Sequence, residues 1–213
     1  MKKFWILISV FFCSWSKFFA QTTDGLIAYY PMTNQNSQYV LDATANGVNA
    51  DIFGTNSYVC GAQGNGLLFN GTTDYVVLPP ILNASFETAP FTISFYFKPL
   101  GGVFKQDIIS RSDACINDHA FSVSYTPSTR ILEVELAENS FKISNFKISI
   151  DPNSCWQHVV IWRKDAETRV YLNGIKKGSS QLSSRVDLTC SMPFTLANSP
   201  CVGSGQSRFQ GSL

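Results

Sequence analysis

The sequence predicts an all-β fold, two antiparallel sheets packed face to face. Short runs rich in Val, Ile, Phe, Tyr and Thr recur at intervals of roughly ten residues, broken by Asn, Gly, Asp and Pro, as in a sandwich or barrel. No window carries a convincing helical stripe of apolar residues. The third observation is a paired-strand signature. Trp156-Gln157-His158-Val159-Val160-Ile161-Trp162 is followed, after the polar break Asp165-Ala166-Glu167, by Arg169-Val170-Tyr171-Leu172-Asn173-Gly174.

Each strand is justified by alternation. Phe91, Ile93, Phe95 and Phe97 share one face of an extended segment, and Thr92, Ser94 and Tyr96 share the other, the pattern of a strand with one face in a core. Phe121, Val123 and Tyr125 repeat it. So do Leu132, Val134 and Leu136, opposite Glu133 and Glu135. The Trp156 and Arg169 segments read as neighbours, and Asn173-Gly174 supplies the positive backbone angles of a two-residue hairpin turn. Leu172 and the residues before it should therefore pair with Ile175-Lys176-Lys177. The chain's 17 phenylalanines are ample filling for the space between two such sheets.

The ends and the composition bound the rest. Met1-Lys2-Lys3 is basic, Phe4 to Trp15 is apolar, and Ala20 offers a small residue before Gln21, so residues 1–20 read as a secretory signal and 21–213 as one exported domain. The apolar run is too short for a membrane span, which needs about 20 residues. Of 16 basic residues, Lys2, Lys3 and Lys17 lie in that signal, which leaves 13 against 15 acidic ones and argues against a nucleic-acid partner. Cys60, Cys115, Cys155, Cys190 and Cys201 remain after cleavage, an odd number in a compartment that permits disulfides.

The order of these segments resembles the laminin-G-like members of the concanavalin A-like lectin and glucanase superfamily, which implies a jelly-roll sandwich. Gly25-Leu26-Ile27-Ala28-Tyr29-Tyr30-Pro31 looks like the opening strand, and the run from Asp42 to Ala50 looks like the Asn/Gly-rich first loop. The run from Gly66 to Val76 resembles the next strand pair, and the segments Phe91 to Pro99 and Ile108 to Arg111 the two strands that follow. Family members close with a Phe-x-Gly segment running into a strand that begins Asp-Glu. Here Phe209-Gln210-Gly211-Ser212-Leu213 ends the sequence, so the expectation is a fragment lacking its closing strand, with further domains after Leu213.

The resemblance also frames the chemistry. It suggests a disulfide between Cys115 and Cys201, because the strands that precede them are near neighbours in family members, and secondarily one between Cys155 and Cys190, leaving Cys60 odd. It suggests structural calcium in the first loop on Asp42, Asn46 and Asn49, since calcium takes 6 to 8 oxygen ligands. The other reading of that loop is a set of Asx turns without metal. Laminarinase-type glucanases carry Glu-x-Asp-x-x-Glu on one strand, and Glu133-Val134-Glu135-Leu136-Ala137-Glu138 is a near match. A glycoside hydrolase would use Glu133 as nucleophile and Glu138 as acid/base, yet alternating Glu is also the ordinary wet face of a half-buried strand. No Gly-x-Ser-x-Gly elbow, His-Glu-x-x-His or phosphate loop occurs. His158 reads as a core histidine and His119 as a solvated loop residue.

The expected function is a non-catalytic carbohydrate-recognition module of a secreted or cell-surface adhesion protein, binding a glycan or a surface protein. Tyr96, Tyr125, Trp162 and Tyr171 are the aromatic candidates for stacking on sugar. The alternatives are the glycoside hydrolase and a structural or protein-binding spacer, because one fold serves all three roles.

Overall fold

The structure is a computed structural model that describes residues 24–33, 38–87, 89–151 and 155–213; the export segment expected at 1–20 lies outside them. In chain order the strands are β1 (Tyr39–Val40), β2 (Ala50–Phe53), β3 (Ser57–Cys60), β4 (Asn65–Asn70), β5 (Tyr75–Val77), β6 (Phe91–Pro99), β7 (Lys105–Arg111) and β8 (Ala120–Thr126). They continue as β9 (Ile131–Asn139), β10 (Lys142–Ser149), β11 (Gln157–Lys164), β12 (Glu167–Leu172), β13 (Ile175–Gln181), β14 (Thr195–Leu196), β15 (Gln206–Arg208) and β16 (Gln210–Ser212). Among the described residues these form a nine-stranded sheet in the order β1-β2-β5-β14-β7-β8-β9-β10, with β15 parallel to β7, and a seven-stranded sheet in the order β13-β12-β11-β6-β16-β4-β3.

Alternation sorts the side chains as the sequence implied. A single row of the nine-stranded sheet, in register from β2 to β10, points inward through Ile52, Val76, Leu196, Ile109, Val123, Val134 and Phe146. Against it the seven-stranded sheet sets Leu67, Phe69, Phe97, Val159, Ile161 and Val170, all fully buried. Removing these surfaces from water is the main favourable term holding the sheets together.

The hairpin forms as expected. Asn173 and Gly174 have φ of 51° and 78°, and Leu172 and Tyr171 face Ile175 and Lys176. The preceding turn is tighter than the sequence suggested, because β11 runs to Lys164 and β12 begins at Glu167.

Two expectations are corrected. Gly25–Pro31 carries no strand ladder; Tyr29 is tied instead to the loop that follows it, through Ala43 N to its carbonyl and its own amide to Asp42 Oδ1, both at 2.8 Å. A short helix, α1 (Leu82–Glu87), lies between β5 and β6. Its first turn starts on the carbonyls of Pro79 and Pro80, and it buries Leu82 and Phe86, four residues apart; six residues are too few to show a stripe in the sequence. At the other end of the chain, Gln210–Ser212 enter the seven-stranded sheet between β4 and β6, and Leu213 exchanges both backbone bonds with Leu67. A Cβ on Gly211 would lie 2.4 Å from the Lys98 carbonyl, so the residue there has to be glycine for β16 to fit.

Cys115 and Cys201 form a disulfide, their Cα atoms 4.8 Å apart. β7 and β14 pair directly, Ser110 opposite Thr195, which brings the loops beyond them together. The expected Cys155–Cys190 bridge does not form. Cys155 is exposed, whereas Cys190 is buried and donates its thiol to Asp113 Oδ1 at 3.2 Å while its carbonyl accepts from Arg111. Burial pushes the Cys190 thiol up, and Cys60 is also free.

Candidate functional site

The outward face of the nine-stranded sheet is built of two transverse rows whose residues are cross-strand partners. One runs Phe53, Tyr75 on β2 and β5, then Arg208, Asp107, Ser124, Glu133 and Lys147 on β15, β7, β8, β9 and β10. The other runs Asp51, Val77, Thr195, Ser110, Ser122, Glu135 and Asn145. Every residue from β7 to β10 in these rows is polar, because alternate positions on the same strands supply the core.

Above the second row lies a hollow of about 150 Å³, lined by polar groups and by Ala114, Ile116, Ala120 and Phe121. Ser110, Ser122 and Glu135 line it from the sheet, the loop from Ser112 to Asn117 forms one wall, and Ser199, Cys201 and Gln206 form another. The Cys115–Cys201 disulfide therefore ties one wall to the other. Ile116, 61% exposed, supplies an apolar edge.

The charged groups are held in place. Lys105 Nζ lies 2.9 Å from Glu133 Oε2, and Asn145 Nδ2 donates to both Glu133 Oε1 at 2.9 Å and Glu135 Oε2 at 2.7 Å. Burial raises the Glu133 carboxyl, but the hydrogen bonds from Lys105 and Asn145 outweigh it and hold Glu133 below the usual carboxylate range. Asp107 accepts from Ser199 Oγ at 2.5 Å, and the Gln206 amide abuts the same carboxylate. Burial pushes Asp107 up to about 6, against the pull of Ser199 and Lys105.

Of the residues singled out in the sequence, few fall here. Glu133 lies on this face, but Glu138 has separate partners, Lys142 Nζ at 2.5 Å and the Asp187 amide at 2.9 Å. The Lys142 hydrogen bond holds Glu138 below the usual range, opposite to what a catalytic acid requires. Tyr125 is corrected to a core residue: it is buried on the inward side of β8, 6.1 Å from the Phe97 ring.

Tyr96, Trp162 and Tyr171 share the outward face of the other sheet, in three successive rows. Two of the rings are already covered there: His158 stacks on Tyr96 at 4.4 Å, and the Arg169 guanidinium lies 4.6 Å over Trp162. His158 is thus corrected from a core to an outward position, since Gln157, Val159 and Ile161 are the buried set, although its ring nitrogen is satisfied by Ser94 Oγ at 2.8 Å. His119 is a half-exposed loop residue beside Asp118 at 2.8 Å.

The first loop is closed by hydrogen bonds. Asp42 Oδ1 accepts from the amides of Tyr29 and Thr44, and Oδ2 from Thr44 Oγ1 and the Val48 amide. Asn49 Oδ1 accepts from the Asp42 amide, and Asn46 turns its Nδ2 to the Ile27 carbonyl at 2.8 Å. The three side chains do not fit calcium as they stand, since the Asp42 oxygens and Asn49 Oδ1 accept from backbone and hydroxyl donors and Asn46 is held by its amide nitrogen.

Sequence reasoning missed Lys105, Asp107, Ser110, Ser122 and Asn145. The alternating Ser122/Ser124 and Glu133/Glu135 pairs carried the signal, because neighbouring strands with polar residues at every second position build a continuous polar face.

Residues 70–213 match the family model described as the concanavalin A-like lectin/glucanases superfamily. The chain belongs to this superfamily. Several solved structures of the same fold superpose on it. Domain 4 of AbnA, a GH43 extracellular arabinanase from Geobacillus stearothermophilus in complex with arabinotriose, aligns with a TM-score of 0.65 at 18% identity over 87% of each chain. The CBM40 of the Ruminococcus gnavus IT-sialidase, bound to α2,3-sialyllactose, aligns with a TM-score of 0.56 at 14% identity, covering 70% of this chain and 85% of that one. The binding domain of botulinum neurotoxin DC in complex with SialylT gives 0.58 at 14%, covering 85% of this chain and 48% of that one, so this superfamily member spans about half of the toxin domain. No curated protein matches the sequence. Among the described residues, no helix is long and apolar enough to cross a membrane.

Proposed function

We propose that this protein is a non-catalytic extracellular module that binds carbohydrate, within a larger secreted or cell-surface adhesion protein. The observation that carries this reading is the outward face of the nine-stranded sheet, where two polar rows converge on a hollow braced by a disulfide. Ligand sites are concave and rely on a few placed polar groups, and this hollow supplies hydroxyls, an amide and carboxylates that match sugar hydroxyls. At about 150 Å³ it suits a single ring, with adjoining sugars lying along the rows. Solved relatives of the same fold hold arabinotriose and sialyllactose, which supports the ligand class. The disulfide and the export-like N-terminus support an oxidising, extracellular setting. Glu133 and Glu138, with unrelated partners, give no support to hydrolysis.

Affinity electrophoresis through a panel of polysaccharides tests this reading. The protein is expected to be retarded by at least one glycan without releasing reducing sugar, and Ser122→Trp, which fills the hollow, is expected to abolish the retardation. Sugar release that disappears in Glu133→Gln would overturn the non-catalytic assignment.

A further inference from the structure

The side chains of the hollow narrow the ligand further. Lys105 is the cation among its described lining residues, and its ammonium is committed to Glu133 at 2.9 Å. Glu133 also draws Lys147, whose Nζ lies 3.6 Å away. Arg208, next along the row, donates to the Thr72 carbonyl at 2.7 Å and lies over the Tyr75 ring, turned away from the hollow. Two carboxylates, Asp107 and Glu135, are left lining the space. Glu135 forms no ion pair among the described residues; its one described partner is the neutral Asn145 amide.

A wall of this kind has acceptors in excess. Ionised carboxylates only accept hydrogen bonds, Ser110 and Ser199 already donate to the Asn198 carbonyl and to Asp107, and Ser112, Ser122 and the Asn117 amide serve either way, so the ligand must bring the donors. Sugar hydroxyls do so. A sugar carboxylate brings acceptors and a second negative charge into a partly desolvated space without a free cation to meet it. We propose that the hollow selects a neutral, hydroxyl-rich sugar and rejects sialylated and uronic-acid glycans, with Glu135 as the specificity-determining acceptor. This inference rests on the carbohydrate reading above and goes beyond it, since some of the solved relatives of this fold hold sialylated ligands.

Titration calorimetry on the purified protein tests it, with arabinan, xylan and β-glucan oligosaccharides in one arm and sialyllactose and oligogalacturonate in the other, each at low and high salt. The expected result is binding in the neutral arm alone, insensitive to salt. Glu135→Gln keeps the Asn145 contact through its carbonyl but loses the charged acceptor, and is expected to weaken that binding about tenfold. Tyr96→Ala, on the opposite sheet, is expected to leave it unchanged. Binding in the anionic arm, weakened by salt and strengthened by Glu135→Gln, would overturn the inference while keeping the carbohydrate reading. Neutral binding lost in Tyr96→Ala but retained in Glu135→Gln would overturn the placement in the hollow. Binding to neither arm would overturn the carbohydrate reading and the inference with it.

Discussion

Asp107 is a carboxyl that the fold moves far from ordinary solution chemistry. Burial lifts its carboxyl from an ordinary 3.8 to about 6, so the folded protein takes up a proton before the unfolded chain does. At neutral pH the charged form is a cost to the fold. As pH falls through 6 towards 3.8 the folded state protonates first and the cost is relieved, and below 3.8 both states are protonated and nothing more changes. The full cost is about 2–3 kcal/mol. Glu133 acts in the opposite sense, because its lowered pKa contributes stability at neutral pH that is lost as its folded form protonates. The melting temperature of the wild type alone therefore mixes both. Asp107→Asn keeps the acceptor for Ser199 Oγ and removes the charge. It is expected to raise the melting temperature near pH 7.5, with most of the gain over wild type lost by about pH 4, as read by paired thermal melts across that range. A gain independent of pH would show that the buried charge is not its origin. Nothing in the sequence around Asp107 marks it, since Gln106-Asp107-Ile108 reads as ordinary strand chemistry. Its burial comes from the loop bearing Ser199, which is distant in sequence.

Elements were legible where local chemistry decides them and illegible where partners do. The Asn173-Gly174 hairpin and the alternation in β6, β8 and β9 are local, and they stand as read. Gly25–Pro31 has strand-like composition, but its backbone bonds go to the Asp42 loop, and no local pattern could show that. The same loop bears on the calcium expectation. Four donors occupy the two oxygens of Asp42, and they hold its carboxyl below the usual range against the effect of burial. Calcium would have to displace bonds that already organise the turn. Calorimetric scans with excess calcium and with a chelator are accordingly expected to coincide. A melting temperature raised by calcium would show that the loop opens to expose these oxygens, since a ligand bound only by the folded state must stabilise it.

At the scale of the whole molecule, order along the chain was enough to identify a two-sheet sandwich, but not on which outward face a hollow forms. Of the aromatic candidates, Tyr125 lies in the core, and Tyr96, Trp162 and Tyr171 fall on the seven-stranded sheet, where Trp162 and Tyr96 are covered by Arg169 and His158. The hollow forms where loops from two distant segments meet over the nine-stranded sheet. The Cys115–Cys201 disulfide, spanning 86 residues, fastens those loops. A cross-link of that span restricts the unfolded chain by about 4–5 kcal/mol in the chain-entropy model. It also fixes the spacing of the hollow's walls, so its loss has two separable consequences. Cys115→Ser with Cys201→Ser is expected to lower unfolding stability by up to that amount. At a temperature where the variant is still folded, its glycan affinity should also fall, because the walls must then be ordered during binding. Cys155→Ser, which removes an exposed thiol outside the bridge, is expected to change neither. If stability falls but affinity does not, the bridge holds the sandwich without shaping the hollow, and the site must draw its order from the strands alone.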